Sequence, residues 1–325
     1  MPGPGRRPSG RARPDGGHRE PVESRTQTKD APGPACKCCG GATAFFVCHD
    51  FSRTCEDHKT PVFAPSGVDV PYYRCAACGF VFTSYFDAWS KEDFAERIYN
   101  AEYILADPGF AGARPQYVAD QLSEMLAPLK ADIKLLDYGG GEGTLTRELK
   151  QRGFEKSESF DPFFSSAIRP HGPFDLVTIF EVVEHAVDPI PLFRDALSFL
   201  APGGAVLFTT ELQSRKPDRD WWYIAPRNGH ISLHTPASLR HLASAAGAQC
   251  LSLDENLHVL YRDARSAVAR QIAEPMRNRA LFAASRRGLQ AFIRTETRLA
   301  ELGIAKGPKH TRHLARAVLT MSGLI

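Results

Sequence analysis

The sequence predicts an α/β protein built on a doubly wound, mostly parallel sheet, with a small cysteine-stapled β module in front and a helical tail behind. Three observations predict it. Leu135 to Leu145 reads LLDYGGGEGTL, an apolar strand end, an acid, a glycine-rich turn and a helix start. After it, apolar β-branched runs alternate with stretches of helical spacing, as in strands joined by crossover helices. Before it stand two Cys-x-x-Cys-Gly motifs separated by a long insert.

With 325 residues, 43% of them hydrophobic, the chain can bury an ordinary core divided among about two domains. The formal net charge of +3 selects no polyanionic partner, although basic residues concentrate at both ends. No apolar run reaches membrane-spanning length. The start, MPGPGRRPSGRARPDGG, has arginines but no apolar segment for secretion, and its prolines and glycines preclude an amphipathic transit helix. The expectation is a cytoplasmic protein without a membrane partner. Eight cysteines clustered in pairs then fit metal ligation better than disulfides.

Residues 1–34 hold almost no apolar side chain and cannot offset ordering entropy by burial, so they read as a disordered tail. Residues 35–88 form the module. In Cys36-Lys-Cys38-Cys39-Gly40 and Cys75-Ala-Ala-Cys78-Gly79 the two-residue spacer lets both thiolates point at one ion, and the glycine allows the tight turn that follows. Cys36, Cys39, Cys75 and Cys78 together make a tetrahedral, structural Zn2+ site. Cys38 is a spare thiol, and Cys48, His49, Cys55 and His58 in the insert leave a second site open. Between the knuckles, short apolar pieces punctuated by Gly and Pro read as strands and turns.

Residues 89–132 read as a helical cover. Ser90-Lys-Glu-Asp93 has the form of a capping box opening a helix. Tyr99 and Tyr103, at i and i+4, share one face, either as packing aromatics or as substrate contacts. A helix from about Gln116 to Leu126 leads through Pro128 to the strand Ile133 to Leu136.

Residues 133–262 form the central domain. Gly139, Gly141 and Gly143 let the backbone bend sharply and approach a ligand, and the helix from Thr144 offers free N–H groups to a carboxylate or phosphate. A dinucleotide fingerprint would need glycine at 144 or 146, and both are threonine. Ser159 to Phe163 looks like a second strand ending in the acid Asp161. Only a short stretch separates it from Phe174 to Phe180, so a third strand is shortened or absent. The run Phe174 to Phe180 fits a buried parallel strand and ends in Glu181-Val-Val-Glu184-His185. Pro191 to Leu200 has helical spacing, Ala201-Pro-Gly-Gly204 turns, and Ala205 to Thr210 is strand-like. Trp221 to His234 is an aromatic insertion with two histidines, suited to a binding pocket. Residues 237–246 make a helix, and Cys250 to Tyr261 supplies the last two strands.

Asp137-x-Gly139-x-Gly141-x-Gly143, followed in order by these signals, resembles the class I S-adenosylmethionine (SAM)-dependent methyltransferases, a Rossmann-like fold. The resemblance implies that the glycine loop wraps the methionine end of SAM, with Asp137 or Glu142 serving its ammonium. Asp161 would accept both ribose hydroxyls, since an ionised carboxylate is acceptor only. Phe163 would stack on adenine, and Glu181 would also line the cofactor. E-x-x-E-H endings are similar to those of small-molecule methyltransferases, whereas nucleobase amine methyltransferases show N-P-P-Y there. The cysteine module resembles that of deoxysugar C-methyltransferases. That family carries a further large C-terminal domain, which the residues after 262 are too few to hold.

A histidine with a pKa near neutrality can take the proton of a hydroxyl as it attacks the methyl group. His230 is the first candidate, with His185 and Glu184 beside it. Positioning alone is the alternative, because an in-line displacement from a sulfonium needs no essential base. Residues 263–325 are basic and helically patterned, a solvated helix or an RNA-binding arm. The expected function is methyl transfer to a hydroxyl or carbon of a small metabolite. Nucleic acid is the disfavoured partner. The alternative is an RNA-associated methyltransferase or a SAM-binding scaffold.

Overall fold

The computed structural model describes residues 32–57, 60–109, 113–163, 168–213 and 218–273. The chain enters through antiparallel strands: β1 (Thr43–Asp50) pairs with β2 (Asp69–Cys75), and β2 with the short β3 (Val81–Phe82). Three cover helices follow, α1 (Lys91–Arg97), α2 (Tyr103–Ala106) and α3 (Ala113–Met125). The predicted capping box opens α1: the Asp93 N–H donates to Ser90 Oγ at 3.1 Å, and the Ser90 N–H to the Asp93 carboxylate at 2.9 Å.

The central domain runs β4 (Leu135–Tyr138), α4 (Thr144–Gln151), β5 (Ser157–Phe160), β6 (Phe174–Ile179), α5 (Pro189–Ser198), β7 (Leu200–Thr209), β8 (Ser232–Leu233), α6 (Pro236–Ala245), β9 (Gln249–Ser252) and β10 (Leu257–Tyr261). Its sheet has the order β5-β4-β6-β7-β10-β9. β5, β4, β6 and β7 are parallel, and β10 is antiparallel to both neighbours. Chain order departs from β4 to both sides, which opens a crevice at the carboxyl ends of β4 and β6. Alternation along each strand fills both layers. In β7, Ala205 and Leu207 pack with Leu122, Leu145 and Leu149 of α3 and α4, while Val206 and Phe208 pack with Phe193, Leu239 and Leu242 of α5 and α6.

Several boundaries differ from expectation. The first strand lies two residues later, so Asp137 is inside it rather than past its end. The Pro-Gly-Gly segment does not separate α5 from a strand at Ala205 but is absorbed in β7, where pairing jumps from Phe174↔Leu200 to Leu176↔Ala205. Gly203 at φ 79° and Gly204, whose Cβ would stand 2.9 Å from the Asp175 carbonyl oxygen, permit this bulge. Among the described residues no strand lies between β5 and β6, in line with a missing third strand.

The module's sheet takes its last strand from the central domain. β8 pairs antiparallel with β3, Val81 opposite Leu233 and Phe82 opposite Ser232, across the expected boundary between the two domains. The tail before 32 and most of the basic extension, from 274 onward, lie outside the described residues. Before that point Ile272 is buried with Leu126 and Val259. No helix among the described residues is long and apolar enough to cross a membrane.

Candidate active site

The glycine loop is held from both sides. Gly139, Gly141 and Gly143 take φ of 77°, 53° and 74°, a region that side chains disfavour. A Cβ on Gly139 would lie 2.6 Å from Val182, in the segment after β6. A Cβ on Gly140 would collide with the Asp137 carboxylate and Ser159 Oγ. Above Gly141 nothing stands within 4 Å, so the loop's open face is there. α4 begins at Gly143 without a side-chain cap, which leaves its first-turn N–H groups and positive dipole end to a ligand.

Asp161 ties the end of β5 to this loop. Its Oδ2 accepts the Gly141 N–H at 3.0 Å and its Oδ1 the Phe163 N–H at 2.8 Å. Each oxygen keeps lone-pair capacity for a diol. Phe163, 45% exposed, is edge-on to Phe94 and Tyr99 with Lys91 over its ring. Asp137 lies beneath the loop, 3% exposed, with Thr178 Oγ1 donating to it at 3.0 Å. Burial pushes its pKa up to about 7. Glu142 lies on the exposed rim of the loop, where its carbonyl accepts from Arg147.

After β6 the chain makes a strained turn. Glu181 adopts φ 55°, a left-handed conformation unusual for a non-glycine residue. Its N–H donates to Thr209 Oγ1 at 3.0 Å, and that hydroxyl donates back to Glu181 Oε1 at 3.2 Å. Its other oxygen is 3.4 Å from Arg114, which is bidentate to Asp107 at 2.7 and 3.0 Å. Sequence reading missed Arg114 and Asp107. Neither sits in a motif, and only folding of the cover over the sheet brings them here.

Glu184, His185 and His230 meet at this turn, with one donor atom from each lying within 4.8 Å of the others. Glu184 is fully buried, and neither carboxylate oxygen has a hydrogen-bond partner. Burial first, then the nearby Glu181 charge, pushes its pKa well up. The Tyr223 hydroxyl lies beyond bonding geometry but near enough to oppose that rise. His185 Nδ1 donates to the Gly229 carbonyl at 3.1 Å, and His230 Nδ1 to the Tyr223 carbonyl at 2.8 Å. A carbonyl can only accept, so both rings carry their proton on Nδ1 and keep a lone pair on Nε2. His185 Nε2 stands 3.7 Å from Glu184 Oε1. Burial holds the His185 pKa down to about 4 and the His230 pKa well below the usual value. Both imidazoles are neutral at pH 7.

The module and the cover fix His230. Tyr72 donates its hydroxyl to the His230 carbonyl at 2.7 Å, and Cys55 Sγ is 3.8 Å from His230 Nδ1. Arg227 donates to the Ile98 carbonyl at 2.9 Å and to Asn100 at 3.0 Å. Gly229, at φ 83°, passes under His185 and Tyr99, where a Cβ would stand 3.3 Å from His185 Nδ1. Tyr99 and Tyr103 pack edge to face, and Tyr99 also meets His185.

The four predicted cysteines converge. Cys36 and Cys78 sulfurs are 3.7 Å apart, Cys39 and Cys75 3.5 Å, and Cys39 and Cys78 3.5 Å. A tetrahedron of Zn–S bonds near 2.3 Å has edges of about 3.8 Å, so the sulfurs stand where such an ion needs them. Cys38 is not one of the four converging ligands but stays beside Cys36 and Cys78, its thiol donating to the Ser238 carbonyl at 3.2 Å. The insert's candidates are dispersed: Cys48 is exposed, His49 meets the Arg219 carbonyl, Cys55 sits at His230, and His58 lies outside the described residues.

Residues 110–253 match the family model for a methyltransferase domain. The ubiquinone biosynthesis O-methyltransferase of Xanthomonas campestris pv. campestris (strain B100) is 31% identical over 116 residues, 34% of this chain and 47% of that protein. That of Xanthomonas oryzae pv. oryzae (strain PXO99A) is 32% identical over 116 residues, with the same shares. The chain thus spans about half the length of the curated relatives it matches, 47%. Among solved structures, the mitomycin 7-O-methyltransferase MmcR aligns over 53% of this chain and 59% of its own, at 13% identity and a TM-score of 0.38.

Proposed function

We propose that this chain, which carries a class I methyltransferase domain over residues 110–253, is a SAM-dependent O-methyltransferase of a small metabolite. The observation that carries the reading is the adjacency of two devices. The open glycine cradle and the Glu184, His185 and His230 cluster are joined by the turn from Glu181 to Val182, which packs on Gly139. The relatives' names favour a hydroxyl acceptor over carbon.

The cradle suits SAM through the chemistry of its parts. The uncapped start of α4 and the amides of the loop match its carboxylate, and Asp161 matches its ribose diol. Asp137, whose carboxyl is buried, supports the loop from below and leaves the ammonium to backbone or to Glu142. SAM supplies an electrophilic methyl group. The protein's share is to hold an acceptor oxygen in line with that group and to take its proton. The two Nε2 lone pairs and the Glu184 carboxylate are the acceptors that face the site. The low basicity of both imidazoles shifts proton acceptance toward Glu184, whose burial strengthens it as a base.

Cys36, Cys39, Cys75 and Cys78 would hold a structural Zn2+ that staples the module onto β8. None of the eight cysteines forms a disulfide, which supports a cytoplasmic setting. The reading is tested by calorimetric titration of SAM and S-adenosylhomocysteine into the wild type and Asp161→Ala. We expect binding to the wild type that weakens at least tenfold in the variant. No binding to the wild type would overturn it.

A further inference from the structure

We infer that Glu184, His185 and His230 form a second metal site, separate from the four-cysteine cluster, for a divalent first-row transition ion bound by two imidazoles and one carboxylate. The site rests on the geometry of these three side chains. Its use in catalysis rests on the methyl-transfer reading.

The first argument is donor count. Glu184 presents two carboxylate oxygens with no hydrogen-bond partner, and the two histidines present Nε2 lone pairs because their Nδ1 protons are spent on the Gly229 and Tyr223 carbonyls. The acceptors converge, and the nearby Tyr223 hydroxyl completes no hydrogen bond to Glu184. A proton on Glu184 could serve one neighbour only, whereas a cation serves all three residues together. Leaving a fully buried carboxylate unpaired is strongly unfavourable.

The second argument is the surrounding shell. Imidazoles that bind metals through one nitrogen commonly donate the other N–H to a backbone carbonyl, which fixes ring orientation and tautomer. Both rings here do so, at 3.1 and 2.8 Å. Glu184 is fixed through its backbone, its carbonyl accepting the Ile231 N–H at 2.8 Å.

Distance and charge agree. With metal–ligand bonds of about 2.0–2.1 Å, neighbouring tetrahedral ligand atoms are about 3.3 Å apart. The His185 Nε2 to Glu184 Oε1 separation of 3.7 Å is a few tenths wider. Among the described residues, the acids beside Glu184 are Glu181 and Asp107, which share the cation Arg114. That excess of acid matches a divalent ion. Nitrogen and oxygen donors suit Zn2+, Mn2+, Fe2+ or Co2+, and three protein ligands leave positions open. An acceptor hydroxyl bound there would be acidified by the ion, its proton passing to water.

The test uses the full chain, with one equivalent of Zn2+ supplied for the cysteine cluster and then titrated with Mn2+, a hard ion that thiolates hold poorly. Free Mn2+ is read by electron paramagnetic resonance and zinc content by elemental mass spectrometry. We expect one Mn2+ bound per chain with zinc retained, and binding weakened at least tenfold in Glu184→Gln and in His185→Gln. Pulsed resonance on the wild type should show coupling to imidazole nitrogen, a readout that does not depend on the variants folding. Failure of the wild type to take up Mn2+ or Co2+ beyond its zinc, or bound metal without nitrogen coupling, would overturn the site. SAM calorimetry on the same zinc-loaded sample separates the two readings, because SAM binding without Mn2+ uptake removes the metal site and leaves methyl transfer standing.

Discussion

The Ile231 N–H donates to the Glu184 carbonyl at 2.8 Å, and the Ile231 carbonyl accepts the Thr83 N–H at 3.1 Å. One residue thus bridges the turn after β6 to the cysteine module and holds His230, its neighbour in sequence, between them. The module is thereby part of the wall of the candidate site. Four predictions follow from this arrangement and from the glycine loop.

Removing the zinc proposed for the four-cysteine cluster, by chelation or by Cys36→Ser, should loosen β3 from β8 as well as the module itself. Losing a structural zinc costs on the order of several kcal/mol in small metal-dependent modules. Hydrogen exchange at the amides of Ile231 and Leu233 should rise with zinc loss. Unchanged protection there would mean that β8 is held by the central domain alone.

Gly139→Ala and Gly141→Ala should separate stability from binding. Both force a left-handed residue, but only at Gly139 does the new methyl group meet a wall, Val182 at 2.6 Å. Gly139→Ala should lose about 2–4 kcal/mol by denaturant titration, strain and overpacking together. Gly141→Ala should lose nearer 1 kcal/mol, yet weaken SAM because its methyl group enters the cradle's open face.

Asp137 makes stability depend on pH. Its pKa is about 7 when folded against an ordinary value of 3.8, so between these the native state binds the extra proton. Its stabilising share is complete below pH 4 and is lost as pH rises through 7, a slope of up to about 1.4 kcal/mol per unit. Asp137→Asn keeps an oxygen for Thr178 and should flatten the decline of stability between pH 5 and 8 relative to wild type. Parallel curves for the two proteins would refute the assignment.

Arg114→Ala should free Asp107 and Glu181, leaving two partly buried acids without their cation. We expect a loss of about 1–3 kcal/mol by thermal melting, with methyl transfer falling more than SAM affinity, since Arg114 holds Glu181 beside the Glu184, His185 and His230 cluster. Equal losses in both would place it at the cofactor instead.

Local rules made much of this protein readable in its sequence. The near-continuous apolar runs at Phe174 to Ile179 and Ala205 to Thr209 announce strands because burial on both faces of a sheet demands them, and Ser90 with Asp93 announces a helix start because orphan N–H groups need a cap. Cys36, Cys39, Cys75 and Cys78 converge as their spacing predicts, because thiolates separated by two residues can face one ion. The glycines from 139 to 143 declare a cradle because only they adopt its backbone. Tertiary structure alone decided the rest. Arg114 and Asp107 reach Glu181 only when the cover folds over the sheet, and β8 joins a strand some 150 residues earlier, Val81 to Leu233. His185 and His230 become a pair with Glu184 only because Ile231 is bonded to the turn after β6. Short-range pattern records what each residue needs, but which distant residue meets that need is settled by packing.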